Sequence, residues 1–202
     1  MVFTKGYTAP EVDRKEVLRY ARAEGDETTL ALLESCIAEA KDRFSYNVCY
    51  ARFGIEIHGD EIDLGFTRTR SHSLAKCLDG CHEIVLLAAT VGFGIDRLIE
   101  KYSLISPSRA VIFQALGSEM VEALCDAFCN DLATEEERSG NTLRPRFSPG
   151  YGDLPLELQR DIFASLGCTK AIGITLGDNL FMNPTKSVTA IIGIKGIRNE
   201  NS

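Results

Sequence analysis

The chain has 202 residues, of which 45% are hydrophobic and 25% charged, a composition typical of a globular protein with room for one substantial core. The formal net charge is −7 and no basic run exceeds two residues, so a nucleic-acid surface is not expected. No apolar stretch approaches the length of about twenty residues that spans a bilayer, and residues 1–6 have no hydrophobic signal region. We therefore expect a cytoplasmic protein with no membrane partner.

The seven cysteines are odd in number and widely scattered, which does not indicate a disulfide framework. Cys77 and Cys81, followed by His82, lack the second matched pair of a structural zinc site. Cys125 and Cys129 lie four residues apart on a predicted helix, and free cysteine behaves as a small buried hydrophobe. Core packing is favoured over metal binding for both pairs, and no metal site is predicted.

The N-terminal part of the chain is predicted to contain two helices and then a β-hairpin. The four elements cover residues 10–23, 26–44, 46–57 and 61–66. Gly25 divides the helices, and Asp26 can cap the second. Gly59 and Asp60 supply a tight turn between the two strands.

The middle of the chain is predicted to alternate between helices and one buried strand. A short helix opens at Ser71 or Ser73 and ends at Gly80. The later elements are a continuous apolar strand and two helices, over residues 83–90, 95–104 and 106–137. The last helix is the longest, with Pro107 in its first turn.

Glycines at positions 92 and 94 follow the buried strand and precede a helix, which superficially suggests a phosphate-binding loop. The third glycine of a dinucleotide fingerprint and the Lys-Ser/Thr of a P-loop are both absent from the sequence. Entry into the helix is therefore the favoured explanation for Gly92 and Gly94.

The C-terminal part is predicted to contain a helix and two strands, over residues 155–166, 170–176 and 187–194. A loop with Met182, Asn183 and Pro184 separates the strands, and residues 197–202 are expected to be frayed. Helices and strands in irregular order indicate the α+β class. We interpret residues 1–66 as an N-terminal helical and hairpin segment, and residues 67–202 as an α+β core.

The segment from Arg146 to Tyr151 is the strongest candidate for a ligand-binding loop. Pro149 followed by Gly150 is the pairing that a type II turn requires. Such a turn brings a permanent cation and an aromatic phenol close together. Arginine can bind a carboxylate through paired hydrogen bonds, an aromatic ring can stack on a base, and glycine lets backbone amides approach a ligand.

The motif Arg-x-x-Pro-Gly-Tyr, with Met-x-Pro-x-x-Ser-Val about thirty residues later, resembles the activation domain of cobalamin-dependent methionine synthase. Nearly the whole chain is similar to the free-standing activation-domain proteins, with further likeness at residues 88–92, 146–160 and 186–193. The resemblance implies a twisted antiparallel sheet flanked by helices. It also implies S-adenosylmethionine as a ligand, and a partner chain that holds cobalamin.

On this resemblance, the cofactor-binding residues are Arg146, Ser148, Gly150 and Tyr151. Arg146 would pair with the methionine carboxylate, backbone near Ser148 would accept from the ligand, and Tyr151 would lie near the adenosyl group. The simpler alternatives are a salt bridge from Arg146 to an acidic residue (Glu135, Glu136 or Asp153) and a Tyr151 ring that packs on its own turn. No residue of this chain is assigned a catalytic role.

The family also uses a glutamate on the long helix. The nearest acidic or amide positions here are Asp126, Asn130 and Asp131, of which Asn130 aligns best. The resemblance also implies an acidic residue near the start of the domain and a pair of tyrosines after the last strand, and neither has a match in this sequence. Three of the contacts expected from the family are therefore missing or altered.

Three functions remain open. The first is a reactivation subunit that binds S-adenosylmethionine and docks on the partner's cobalamin module, with flavodoxin or a similar protein as electron donor. It would support reductive methylation of cob(II)alamin and show little turnover alone. The second is a module that clamps a corrinoid protein without binding S-adenosylmethionine. The third is an unrelated small-molecule enzyme that uses the same cleft.

Overall fold

The computed structural model describes residues 1–196, and the segment predicted to be frayed, 197–202, lies outside the described residues. The described part contains ten strands and seven helices. In chain order they are β1 (Phe3–Tyr7), α1 (Arg14–Ala21), α2 (Glu27–Ala40), β2 (Tyr46–Gly54), β3 (Glu56–His58), β4 (Glu61–Asp63), β5 (Arg68–Arg70), α3 (His72–Cys77), β6 (Glu83–Thr90), α4 (Gly94–Ile105), α5 (Pro107–Glu137), β7 (Asn141–Leu143), α6 (Leu158–Leu166), α7 (Cys168–Ile172), β8 (Thr175–Leu176), β9 (Met182–Asn183) and β10 (Ser187–Gly196).

Five strands form one antiparallel sheet in the order β1-β2-β6-β10-β7. The buried strand β6 lies at its centre, paired with β2 from Thr90 to Glu83 on one side and with β10 over the same residues on the other. The remaining strands form the small sheets β3-β4-β5 and β8-β9. The predicted α+β class, with an antiparallel sheet flanked by helices, is confirmed.

Each face of the five-stranded sheet has its own hydrophobic core, because side chains alternate along β6. Odd-numbered residues from Val85 to Ala89 join the α5 core, which also contains apolar residues of α1, α2, α4 and α5. Even-numbered residues from Ile84 to Ala88 join the α6 core, built with α3, α6 and α7. Cys125 is buried in the α5 core and Cys129 packs against it, as predicted, while Cys81 packs against the α6 core.

Most predicted helices are present, and their capping side chains explain where they begin. The Asp26 carboxylate accepts from the Thr29 amide at the start of α2, and the Ser71 hydroxyl accepts from Leu74 at the start of α3. Pro107 is the first residue of α5, which runs for 31 residues. Among residues 1–196, no helix combines the length and the apolar character needed to cross a membrane.

Two strands of the sheet were not predicted, because neither has an alternating apolar pattern. Most of β1 is exposed, and its residues from Phe3 to Tyr7 are held by pairing with β2 and by bonds from Lys5 and Tyr7 to Asp131. The polar strand β7 pairs with the end of β10, from Ile194 to Gly196. Both strands depend on backbone pairing to residues distant in sequence, which local patterning does not report.

The predicted strand 46–57 is divided in the structure. β2 stays in the five-stranded sheet, whereas β3 pairs with β4 across the expected turn at Gly59, whose φ is 63°. Between them, Ile55 donates its N–H to the carbonyl of His82. The hairpin is therefore confirmed, but it belongs to a separate small sheet.

The predicted strand over residues 170–176 is wrong for most of its length. Residues 168–172 form α7, and only Thr175 and Leu176 are extended. Gly167 and Gly173 both have left-handed backbone, with φ of 58° and 75°, and enclose one short helical segment. Its apolar residues face the α6 core, so tertiary packing overrides the strand-like composition.

Gly92 and Gly94 serve close packing at the entry to α4, as expected. Gly92 has a φ of 80°, which favours glycine. A Cβ atom at Gly94 would lie 1.9 Å from the carbonyl oxygen of Arg43. The backbone at Gly94 lies against the backbone at Arg43, so a side-chain rotation cannot relieve the clash.

Gly94→Ala is expected to lower the free energy of unfolding by about 2–4 kcal/mol, because the backbone must shift to relieve the clash with Arg43. Gly54→Ala is the matched control, since a Cβ there meets nothing within 4 Å, and its change should stay within about 0.5 kcal/mol. Urea denaturation measures both values. Equal stabilities of the two variants would contradict the packing described here.

Candidate ligand site at the edge of the sheet

A cavity of about 670 Å³ lies along the outer edge of β10. It falls within the range of sizes that suits small-molecule ligands. Its lining comes from α5, the segment 143–151, α6, β9 and the start of β10. The residues are Glu122, Asp126, Cys129, Leu143, Arg144, Pro145, Arg146, Phe147, Ser148, Pro149, Tyr151, Gln159, Met182, Ser187, Val188 and Thr189.

The predicted turn is present between Ser148 and Tyr151. The Tyr151 amide donates to the Ser148 carbonyl at 3.1 Å, and Gly150 has a φ of 89° at the third position of the turn. This is the geometry expected of a type II turn with Pro149 at its second position. The Ser148 carbonyl is thus engaged within the turn, and the Gly150 amide donates to the carbonyl of Leu154 at 2.9 Å.

The loop is attached to the sheet just before this turn. Phe147 and Ile191 exchange two backbone hydrogen bonds, at 2.9 and 2.8 Å. Along a strand, the backbone N–H and C=O groups of every second residue point to the same edge. Those of Thr189 therefore point to the outer edge of β10, as those of Ile191 do. In the part of the chain that the structure describes, no strand pairs with β10 on this side between Ser187 and Ala190. The open stretch forms one wall of the cavity.

Asp153 attaches the far end of the loop to the start of α3. Its carboxylate accepts from the Ser71 hydroxyl at 2.6 Å and from the amides of His72 and Ser73 at 2.8 and 3.1 Å. These bonds, that from Ser71 foremost, hold the pKa of the Asp153 carboxyl well below its usual range. Asp153 therefore has a structural role and is not the partner of Arg146.

Arg146 is paired with two acidic residues of α5. Its Nη2 donates to Glu122 at 3.0 Å and to Asp126 at 2.7 Å. A salt bridge is therefore present, but not to any of the partners considered from the sequence, Glu135, Glu136 and Asp153. Burial alone would lower the pKa of Arg146, but the neighbouring Cys125, Glu122 and Asp126 hold it above its ordinary value. The cluster of Glu122, Asp126 and Arg146, here the charged triad, carries a formal charge of −1.

Of the four residues predicted to bind a cofactor, Arg146, Ser148 and Tyr151 line the cavity, whereas Gly150 shapes the turn behind it. The Tyr151 ring is 71% exposed, so it does not pack on its own turn. Its exposed face at the edge of the cavity is available for stacking on a flat ligand.

Sequence reasoning assigned no ligand role to the cavity residues Glu122, Arg144, Gln159 and Thr189. Glu122 lies one helical turn before Asp126, a spacing that would have placed both on one face of α5 beside Arg146. Asn130, the best-aligned position, is not among the lining residues. Gln159 and Thr189 also line the cavity, and no local signal in the sequence marks them.

The segment predicted as a loop begins with the short strand β9 at Met182 and Asn183, and α4 holds it in place. Thr185 donates its amide and its hydroxyl to the Asp96 carboxylate. Met182 lines the cavity and packs against the α6 core, while Ser187 donates to the carbonyl of Pro184 at 2.8 Å. The loop is thus fixed to the body of the protein beside the cavity.

Comparison with solved structures identifies the fold. The chain is similar to the crystal structure of the MetH reactivation domain bound to AdoHcy, with a TM-score of 0.71 over 96% of this chain and 78% of that chain. The chain has the reactivation-domain fold. The sequence identity is only 14%, so the likeness concerns the fold. No family model and no curated protein matches the sequence.

Asp153→Asn is expected to lower the melting temperature at pH 7 and pH 5, because the neutral amide accepts the α3 hydrogen bonds less strongly. A depressed folded-state pKa stabilises the protein above the ordinary aspartate pKa of about 3.9. That stabilisation is lost as the pH falls through the lowered pKa.

The difference between wild type and Asp153→Asn should therefore shrink steadily below about pH 4. Thermal unfolding followed by circular dichroism from pH 7 to pH 2 measures it. Asp178→Asn, at an exposed position outside the loop, is the control and should leave the melting temperature at pH 7 unchanged. A constant difference at every pH would contradict this account of Asp153.

Proposed function

We propose that this chain binds S-adenosylmethionine in the cavity beside β10 and acts as a reactivation subunit of cobalamin-dependent methionine synthase. The observation that carries the proposal is the charged triad beside the Pro-Gly-Tyr turn, on the fold of a domain described as bound to AdoHcy. One of its three residues, Arg146, lies at a position that the sequence resemblance also selects, and Asp126 lies one helical turn before the best-aligned position, Asn130.

The charges of the cavity complement those of S-adenosylmethionine. The ligand carries an α-ammonium, a sulfonium and a carboxylate, and so has a net charge of +1, opposite to that of the charged triad. Two unit charges 4 Å apart interact by about 1–4 kcal/mol in surroundings between bulk water and a protein surface. An interaction of this size is sufficient to favour S-adenosylmethionine over its neutral demethylated form.

Arg146 is assigned to the ligand carboxylate. Both of its hydrogen bonds to α5 use Nη2, and among residues 1–196 neither Nε nor Nη1 donates to a backbone or side-chain oxygen. Glu122 and Asp126 hold the guanidinium in place, so its orientation is set before a ligand binds. Preorganisation of this kind reduces the entropy lost on binding.

The proposed partner is a methionine synthase chain that holds cobalamin, with a flavodoxin-type protein as electron donor. The cobalamin and the methyl donor would supply the chemistry of reductive methylation. The residues of this chain would bind the methyl donor and orient it toward the partner. This division of roles explains why the chain alone is expected to show little or no turnover.

One observation favours a second candidate function, a module that clamps a corrinoid protein without binding S-adenosylmethionine. Arg146 already has two carboxylate partners in the structure, so its charge is compensated without a ligand. A clamp would need only the shape of the loop. Ligand binding distinguishes the two functions directly.

We expect Arg146→Ala to weaken S-adenosylmethionine binding by about tenfold to a hundredfold, the usual range for losing a hydrogen bond to a charged group. Arg68→Ala removes an exposed arginine outside the cavity and should leave the affinity unchanged. Titration calorimetry, with and without the cobalamin-binding partner, measures both. Absence of binding under both conditions, or equal affinities of the two variants, would refute the ligand assignment.

Glu122→Gln is expected to reduce the preference for S-adenosylmethionine over S-adenosylhomocysteine by about threefold to tenfold, because it removes one negative charge beside the sulfonium. Glu56→Gln, 80% exposed and outside the cavity, is the control and should preserve the preference.

A reductive-methylation assay with a methionine synthase lacking its own reactivation domain tests the function itself. If the methionine synthase recovers the same activity with and without this protein, the reactivation role is refuted.

A further inference from the structure

The cavity has two chemically different sides, because it extends around the edge of the sheet. Arg146 points toward α5, where it meets Glu122 and Asp126, whereas the next residue, Phe147, packs against the α6 core. The side chain of Thr189 shares the face of Ile191, which belongs to the α6 core. The two carboxylates of the charged triad therefore lie on the α5 side, whereas Thr189 and Gln159 line the α6 side together with Arg144, whose Nη2 donates to the carbonyl of Asp79 at 2.9 Å.

Three residues that line the cavity, Arg144, Gln159 and Thr189, each have a buried polar atom without a hydrogen-bond partner among residues 1–196. Arg144 is nevertheless bound through its Nη2, which donates to the carbonyl of Asp79. Gln159 is 6% exposed and Thr189 2% exposed, and both line the cavity. Within residues 1–196, neither the Gln159 Oε1 atom nor the Thr189 Oγ1 atom has a hydrogen-bond partner. A buried polar atom without a partner destabilises the folded protein, so the unpartnered side-chain oxygens of two residues that line one cavity need an explanation.

We propose that Gln159 and Thr189 bind the nucleoside half of the ligand and select adenine. This inference rests on the proposed function and names the residues that read the uncharged end of the same ligand. A carboxamide presents an acceptor beside two donors, which is the pattern that pairs with the exocyclic amine and a ring nitrogen of adenine. The Thr189 hydroxyl adds one hydrogen bond to the same nucleoside.

The two sides of the cavity suit the two different ends of the ligand. The zwitterionic amino acid end matches the charged triad on the α5 side, where oppositely charged groups are available. The adenosyl end carries no charge but has several donors and acceptors, and so matches the carboxamide and hydroxyl on the α6 side. Tyr151, exposed at the edge of the cavity, remains available to stack on the base.

The test uses Gln159→Met and Thr189→Val, which keep the side-chain size and remove the hydrogen bonds. Both should weaken binding of S-adenosylhomocysteine by about fivefold to tenfold. They should weaken 5′-methylthioadenosine, which lacks the amino acid end, by the same factor. Gln159→Met should also abolish the preference of the wild type for S-adenosylhomocysteine over S-inosylhomocysteine, in which the exocyclic amine is replaced by oxygen.

The same two variants should melt at temperatures equal to or above that of the ligand-free wild type, because a buried unpartnered polar atom is replaced by an apolar one. Gln114→Met makes the same change at an exposed position of α5 and should alter neither affinity nor ligand preference. A lower affinity together with a higher melting temperature is the signature expected of ligand-binding groups and not of packing groups.

Several results would overturn the inference. If the wild type binds S-adenosylhomocysteine and both variants bind it equally well, the proposed function stands and these two residues are not part of the site. If only S-adenosylhomocysteine is weakened and 5′-methylthioadenosine is not, they bind the amino acid end. The inference is also refuted if Gln159→Met still prefers S-adenosylhomocysteine over S-inosylhomocysteine, or if both variants melt at lower temperatures than the ligand-free wild type. No binding of any S-adenosyl ligand to the wild type would instead refute the proposed function.

Discussion

Two hydrogen bonds between the backbones of Phe147 and Ile191 fix where the loop with the Pro-Gly-Tyr turn meets the sheet. They occupy one position on the outer edge of β10 and leave the stretch before it open. The turn from Ser148 to Tyr151 follows, and Asp153 attaches the far end of the loop to α3. The cavity is the space enclosed by this attachment, so its position depends on a pairing between segments more than forty residues apart.

The cavity also concentrates polar groups at a place where the rest of the structure is apolar. The charged triad is held between α5 and the loop at the margin of the α5 core, and Gln159 and Thr189 lie at the margin of the α6 core. Groups of this kind reduce stability unless they are paired. Their accumulation at one edge of the sheet is typical of a site in which part of the stability is given up for binding.

The likeness to a reactivation domain and the local chemistry support the proposed function in different ways. At 14% identity the likeness concerns the fold and does not fix the side chains that line the cavity. The α5 residues show the consequence. Glu122 and Asp126 face Arg146, whereas the best-aligned position, Asn130, lies outside the cavity lining. The ligand contacts of this chain are therefore to be argued from its own residues.

The sequence by itself determined the helices with clear caps, the buried strand β6, the Pro-Gly turn and the α+β class, because these follow from local periodicity and backbone preference. Tertiary structure decided the edge strands β1 and β7, the helix α7, and the partners of Arg146. Each of these depends on groups distant in the sequence: backbone pairing for the strands, the α6 core for α7, and the facing side of α5 for Arg146. Gln159 and Thr189 became visible for the same reason, since a missing hydrogen-bond partner is a property of the folded surroundings and not of the residue.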